Sequence, residues 1–394
     1  MYFDIKMNKK TIIYVIGSMD LGGAEKHIVN VASMLKKLGW NPEFFVIKHG
    51  GPLSKILEQN HIPIHSIELP SWFSNVIRHK KTGLFILHLL SFIMFVYKYW
   101  KIKPEITHFF LPTAYIVGGV ASLLSPVKIK IMSRRSLNNY KQNNRFLFYI
   151  EKMLHKFMDV VCGNSNAILE QLKLEGVDSY KLQLIYNGVD NKKYFPSLDK
   201  SVFREKLGIS KDALVFVIVA NLIPYKGHMD LIQAFCAISD DIGQDWILLC
   251  LGRDDGIQNQ LYDTAKRLKI DNNIRFLGSQ ANVEEYLIAS DVGILSSHEE
   301  GFSNAILECM SSGLPMIVTD VGGNAEAVID GKQGFVVPSH NPNKLSKAIL
   351  KISHDTILRN KMGKSARDRA LNVFDVDSCI DQYNKMYTKL INQS

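Results

Sequence analysis

The chain has 394 residues, 46% of them hydrophobic and 22% charged, with 26 glycines and 12 prolines. That length suits two hydrophobic cores better than one, and the mix excludes a fibrous or disordered chain. The net charge of +9 is uneven, because residues 1–198 carry 26 Lys/Arg against 13 Asp/Glu while residues 199–394 carry 21 against 25. A basic half joined to a mildly acidic half points to one lobe facing something anionic: membrane, nucleic acid or a phosphorylated substrate.

Five cysteines are widely spaced and include no C-x-x-C, which offers no disulfide framework and points to a reducing compartment. The first apolar run, Thr11–Gly17, is too short for a signal peptide. No stretch of 18 consecutive apolar residues occurs, which argues against a membrane span.

Short apolar runs alternate with longer helical patterns, the signature of an α/β chain with mostly parallel sheets. In the first half, strands are expected near residues 12–16, 44–47, 64–67, 106–110, 128–132, 159–162 and 183–186. Helices are expected near 24–37, 53–59, 84–99, 113–124, 143–156 and 166–174. The pattern weakens across 187–211, which reads as a linker. From Leu214 a second series begins, with strands near 215–220, 247–251, 274–277, 292–295, 315–319 and 335–337 and helices between them. These series predict two Rossmann-like lobes, 1–198 and 199–374, with a last helix within 375–394 that either stays with the second lobe or packs back on the first. Ligands of such sheets bind beyond the carboxyl ends of the strands, so a deep cleft between the lobes is the expected site.

Three strand ends carry candidate chemistry. After the first strand, Ser18-Met19-Asp20-Leu21-Gly22-Gly23 leads into a helix. Adjacent glycines allow close backbone approach, and the helix start presents unpaired N–H groups. It is neither a dinucleotide fingerprint nor a Walker A loop. After Val215–Ala220 comes Asn221-Leu222-Ile223-Pro224-Tyr225-Lys226-Gly227-His228, which places Lys226 at a strand-end rim where an ammonium can neutralise phosphate charge. After Val292–Leu295 comes Ser297-His298-Glu299-Glu300-Gly301-Phe302-Ser303-Asn304, then Glu308 on a helix. The N–H groups at Phe302, Ser303 and Asn304 form an anion nest. Carboxylates beside it accept hydrogen bonds from sugar hydroxyls.

The segment from Glu300 through Glu308 to Pro315 closely resembles the E-x7-E signature of the retaining GT-B glycosyltransferases of family 4. Thr319-Asp320-Val321-Gly322-Gly323-Asn324-Ala325-Glu326 resembles that family's T-D-V-G-G-x-x-E, Asn187-Gly188-Val189-Asp190 its N-G-V-D, and Gly22-Gly23-Ala24-Glu25 its first glycine-rich loop. The resemblance spans about residues 11–370. It implies a GT-B fold and transfer of a sugar from a nucleotide-sugar donor, most commonly a UDP-sugar, with retention and usually without a bound metal. It further implies that Lys226, with Asn221 beside it, contacts the donor diphosphate. The N–H groups of Phe302 and Ser303, next to Gly301, grip the phosphates. Glu300 reaches the sugar hydroxyls, Glu308 takes the ribose, and Gly22 and Gly23 lie near the junction with an acceptor on the first lobe.

Two departures stand out. Asn221 replaces an arginine common in the family, leaving Lys226 alone unless Arg253 supplements it. In Thr107-His108-Phe109-Phe110 only His108 of a frequent His-x-His pair is present, and it is either a site residue or a structural one. Asp254-Asp255 reads as a surface loop and not as a metal site.

Leu84–Tyr97 contains only His88 and Ser91 as polar residues, and basic residues flank it: Arg78, His79, Lys80 and Lys81 before, Lys98, Lys101 and Lys103 after. Its 14 residues reach about 21 Å as a helix, short of a bilayer's hydrocarbon core of about 30 Å. It is either a packed core helix or one partly sunk at an anionic interface. Lys128, Lys130, Arg134, Arg135, Lys141 and Arg145 are further candidates for that surface. A lipid-linked or oligosaccharide acceptor, cell-envelope polysaccharide synthesis, and a cytoplasmic enzyme peripheral on the inner membrane face fit this arrangement. Competing readings are an epimerase or phosphorylase-like enzyme of the same fold, and a basic module binding nucleic acid or membrane without catalysis. Against specific nucleic-acid binding, the aromatics gather in one apolar helix instead of interleaving with Lys/Arg.

Overall fold

Buried runs of β-branched and aromatic residues form the strands of two parallel sheets. The computed structural model describes residues 10–68, 81–137, 145–197 and 199–394. Arg78, His79, Lys80 and Lys141, expected to add basic surface, lie outside the described residues, as do the side chains of Lys81 and Arg145. The chain divides into two compact units: one runs to Ile185 and takes in Ile380–Ser394, and the other spans Tyr186–Cys379.

The first unit contains β1 (Thr11–Ile16), β2 (Asn41–Val46), β3 (Ile64–His65), β4 (Ile106–Phe110), β5 (Ile129–Arg134), β6 (Val160–Gly163) and β7 (Leu182–Leu184). They lie in the order β3-β2-β1-β4-β5-β6-β7, and every pairing is parallel. Ile12–Ile16 and Ile106–Phe110 are buried throughout, as expected of central strands covered on both faces.

The second unit contains β8 (Leu214–Val219), β9 (Trp246–Leu251), β10 (Ile274–Gly278), β11 (Val292–Leu295), β12 (Met316–Thr319) and β13 (Gly334–Val337). Their order is β10-β9-β8-β11-β12-β13, again all parallel. In each unit the strand order reverses at one place, between β1 and β4 and between β8 and β11. That crevice is where open α/β sheets bind ligands. The expected α/β class with two Rossmann-like lobes is therefore what the chain adopts.

The presumed linker hides a helix, Ser201–Lys206. Buried Arg204 pins it, donating to Asp291 Oδ2 at 2.6 Å and to the carbonyls of Lys211, Ala213 and Ala289. A single well-partnered arginine, invisible to apolar periodicity, orders this stretch.

The apolar segment also differs from its expected length. It extends to a helix of 22 residues, Lys81–Ile102, or about 33 Å. Among the described residues, Gly83–Ile102 is the segment long and apolar enough to cross a membrane. One flank is nevertheless committed to the protein, because Ser91, Phe95 and Tyr99 are fully buried and Phe95 and Tyr99 both stack near Phe45 of β2. The opposite flank is open, with Phe85, Leu89, Ile93, Tyr97 and Trp100 exposed at a spacing that keeps them on one helix face.

Arg134 does not belong to any membrane-facing surface. It is buried, donating to Glu151 and, at 2.5 Å, to Glu175, because a guanidinium removed from water needs charged acceptors. Arg135 is half-buried and donates to the Tyr383 hydroxyl at 3.3 Å. The helix Val376–Gln393 contributes its later residues to this unit. There Trp40 donates to Asn384 at 2.8 Å, and Tyr383 and Tyr387 meet His27 and His108.

Burial, aided by Arg135, holds the pKa of both His27 and His108 well below the usual 6.5, so each is neutral in the folded unit. Below about pH 6.5 the unfolded chain binds protons that the folded chain refuses. Stability is therefore retained above pH 7 and lost as pH falls from about 6.5 toward the folded pKa values. Each histidine contributes up to about 1.4 kcal/mol per pH unit. Urea titrations between pH 7 and 5 are expected to show this slope, reduced in His108→Gln; an unchanged slope in the variant would remove the assignment.

Candidate donor-binding site

Lys226 and Glu300 come from opposite sides of the β8/β11 reversal. The turn Pro224–Lys226 follows β8, and the loop holding Glu300 follows β11. Lys226 Nζ lies 2.6 Å from Glu300 Oε1, and both side chains are mostly buried. The Ser297 hydroxyl donates to the same oxygen at 2.8 Å. The ammonium also lies 5.2 Å from the Tyr225 ring centroid, a cation–π contact.

Backbone approach fixes both loops. Gly227 has φ 70°, and a Cβ there would stand 2.0 Å from the Ser296 carbonyl oxygen. Gly322 has φ 53°, and its Cβ would stand 1.9 Å from the carbonyl oxygen of Glu300. Gly323 N–H donates to the Gly301 carbonyl at 2.9 Å. The Thr319–Gly323 turn thus serves as the floor on which the Glu300 loop rests, and only a residue without Cβ allows it.

Beyond the loop, Ser303 caps the helix Asn304–Ser311 without a side-chain hydrogen bond, leaving a helix start with outward N–H groups. Asn187 Nδ2 donates to the Phe302 carbonyl at 3.2 Å and to Asn304 Oδ1 at 2.5 Å. The Asn187–Asp190 segment therefore braces the same turn. Phe302 is buried, with the Tyr186 and Phe374 rings 5.1 and 5.5 Å away. Glu308, one turn on, is half-buried and hydrogen-bonded to Tyr194, whose pKa is raised first by burial and then by that carboxylate.

The other expected residues have their own surroundings. The Asn221 side-chain oxygen accepts the Arg253 N–H at 3.1 Å. Arg253 is exposed and pairs with Asp255 at 2.7 Å. Asp254 accepts the N–H groups of Gly256, Ile257 and Gln258 at 2.8–3.1 Å in the turn that leads into the next helix. In the first unit, Gly22 and Gly23 open the helix Gly23–Lys37. The Glu25 carboxylate lies over Gly22, 2.1 Å from where a Cβ would be, and burial raises its pKa.

His108 is hydrogen-bonded through both ring nitrogens. It is fully buried in β4, with Nδ1 2.7 Å from the Tyr387 hydroxyl and Nε2 2.8 Å from that of Ser133. Both ring nitrogens are committed within the protein.

Three residues at this place escape motif reading. Ser297 and Tyr194 orient the two glutamates, and hydroxyl residues at such distances carry no pattern. His228, immediately after Gly227, is buried, its two ring nitrogens have no hydrogen-bond partner among the described residues, and burial with Lys226 nearby holds its pKa down to about 4.

Two parallel sheets, each with a strand-order reversal at its centre, are the sheets of a GT-B fold. The model of Glycosyltransferase Family 4 matches residues 21–193, and that of Glycosyl transferases group 1 matches residues 199–369. The chain belongs to glycosyltransferase family 4. The Escherichia coli UDP-Gal:alpha-D-GlcNAc-diphosphoundecaprenol alpha-1,3-galactosyltransferase is 24% identical over 359 residues, covering 88% of each chain. The Staphylococcus aureus capsular polysaccharide biosynthesis glycosyltransferase CapM is 24% identical, covering 82% of this chain and 86% of its own. The crystal structure of Anabaena HepE in complex with UDP and glucose matches in fold with a TM-score of 0.82 and 23% identity, covering 96% of this chain and all of that one.

Gly322→Ala tests the packed floor. It is expected to destabilise the second unit by about 1–3 kcal/mol. Gly243→Ala, also at positive φ but with its nearest neighbour 4.0 Å away, should carry only the backbone strain. Equal losses in urea unfolding would show that the Glu300 contact contributes nothing.

Proposed function

We propose that this glycosyltransferase moves a sugar from a UDP-sugar to a lipid-linked saccharide, with retention of configuration, while seated on an anionic membrane face. The observation that carries the donor half is the Lys226–Glu300 pair beside the helix start at Ser303. A UDP-sugar donor and a diphosphoundecaprenol-linked acceptor are named for the Escherichia coli relative, and the Anabaena structure holds UDP and glucose.

As the anomeric carbon separates from the diphosphate oxygen, negative charge grows on the leaving group. Lys226 and the N–H groups of Phe302 and Ser303 stabilise that charge more in the transition state than in the ground state. Glu300, released from Lys226, accepts hydrogen bonds from sugar hydroxyls, and Glu308 does the same for the ribose. The acceptor hydroxyl attacks from the face the diphosphate leaves. A new carbon–oxygen bond forms, the hydroxyl proton passes to a departing phosphate oxygen, and UDP is the second product. The Gly22–Gly23 turn is assigned to the acceptor side, and His108 to bracing the final helix.

The membrane half rests on the unpartnered apolar face of the first unit. The exposed stripe on Lys81–Ile102 is accompanied by exposed Phe146, Tyr149 and Met153 on the helix Arg145–His155, with Phe157 following. Both helices pack on Pro112–Leu123. Exposed Lys101, Lys103, Lys152 and Lys156 sit on or beside these helices. An aromatic face rimmed by lysines suits anionic headgroups, each lysine contributing about 1 kcal/mol.

Incubation with UDP-, GDP- and ADP-sugars, with and without membrane lipid extract, is expected to release nucleotide from a UDP-sugar and yield a new lipid-linked glycoside. Turnover with another nucleotide only, or free sugar as the sole product, would overturn the reading. Lys226→Ala should lower kcat by about 10²–10³, whereas Glu308→Ala should chiefly raise KM, by roughly tenfold or more. In vesicle flotation at low salt, the protein should bind vesicles containing anionic lipid. Phe85→Asp combined with Tyr97→Asp should abolish that binding without altering donor hydrolysis; equal binding by the variant would exclude this face.

A further inference from the structure

Beside the Glu300 loop, three metal-ligating side chains from separate elements of the second unit converge. His298 follows β11, Asp230 lies in the first turn of the helix His228–Cys236, and His340 follows β13. His298 Nε2 is 2.9 Å from Asp230 Oδ2. The two imidazole rings lie 3.6 Å apart between centroids, inclined at 31°. One ligand atom from each of the three residues falls within 4.8 Å of the others. Positions 68 and 42 residues apart along the chain reach one point only because the carboxyl ends of β8, β11 and β13 face the same edge of the sheet.

We propose that Asp230, His298 and His340 form a binding site for a divalent transition-metal ion, with Zn²⁺ the ion that best fits the donor set. Two borderline imidazoles with one hard carboxylate form a mixed set of the kind that holds Zn²⁺, whereas Mg²⁺ and Ca²⁺ favour oxygen alone. Tetrahedral bonds of about 2.0–2.2 Å place neighbouring ligand atoms about 3.3 Å apart. The His298–Asp230 separation of 2.9 Å is close to that spacing, and binding one ion requires the closely packed His298 and His340 rings to turn apart. Asp230 and His298 are half-buried and His340 is exposed, which gives the ion a route in and leaves a fourth position for water.

The site has a structural consequence. The His298 N–H donates to the Tyr225 carbonyl at 2.7 Å, and Gly227 packs on Ser296. An ion held by His298, Asp230 and His340 therefore ties the Lys226 turn to two other loops. The site is distinct from the charge stabilisation assigned to Lys226 and holds whether or not that assignment does.

The test is calorimetric titration of the tag-free, metal-stripped full chain with Zn²⁺, alongside thermal unfolding with Zn²⁺ or Mg²⁺. One Zn²⁺ per chain is expected, with a rise in Tm that Mg²⁺ does not produce. His340→Ala, at an exposed position, and Asp230→Asn should each weaken binding at least tenfold and abolish the Zn²⁺-dependent rise. His354→Ala, at another exposed histidine of the same unit, should leave both unchanged. Binding below one equivalent, or Zn²⁺ affinity unaltered in His340→Ala, would overturn the site.

Discussion

A lysine and a glutamate held mostly out of water, 2.6 Å apart at the reversal of a parallel sheet, are the constraint on which the second unit's chemistry depends. Two desolvated charges are tolerable only while they neutralise one another. In this unit the arrangement is enforced by backbone more than by side chains. Gly227 lets the lysine turn press on Ser296, and Gly322 lets the Thr319–Gly323 turn press on Glu300. The pair thus stays pre-positioned, and in the proposed function an arriving diphosphate has only to replace a carboxylate as the lysine's partner. Pre-positioned charge of this kind is what makes electrostatic stabilisation effective in a dry site.

The first unit solves a different problem. It is basic overall, yet its most buried cation, Arg134, is consumed by Glu151 and Glu175. Its central histidine, His108, is consumed by Ser133 and Tyr387. These networks anchor the sheet and the final helix, and exposed lysines remain at the surface, with Lys101, Lys103, Lys152 and Lys156 among those near the apolar stripe.

Much of this was legible in the amino-acid order. Apolar runs such as Ile12–Ile16 and Val215–Val219 are strands because both faces are covered. The glutamate spacing from Glu300 to Glu308, with the glycine turn at Gly322-Gly323, led to the family and to the neighbourhood of the site. What escaped has a common cause: it depends on contacts between residues far apart in the chain. The helix at Ser201–Lys206 exists because Arg204 finds Asp291. His108 is a brace because Tyr387, 279 residues later, returns to it. The Asp230–His298–His340 cluster has no local spacing at all. The helix Lys81–Ile102 outruns its apolar segment for a local reason: flanking lysines and a tryptophan end an apolar run without ending a helix.

The most direct measurement is a structure of the chain bound to a non-hydrolysable UDP-sugar. The account predicts the diphosphate within hydrogen-bond distance of Lys226 Nζ and of the N–H groups at Phe302 and Ser303, with Glu300 turned from Lys226 toward the sugar. A diphosphate remote from that turn, with Lys226 and Glu300 still paired, would contradict it.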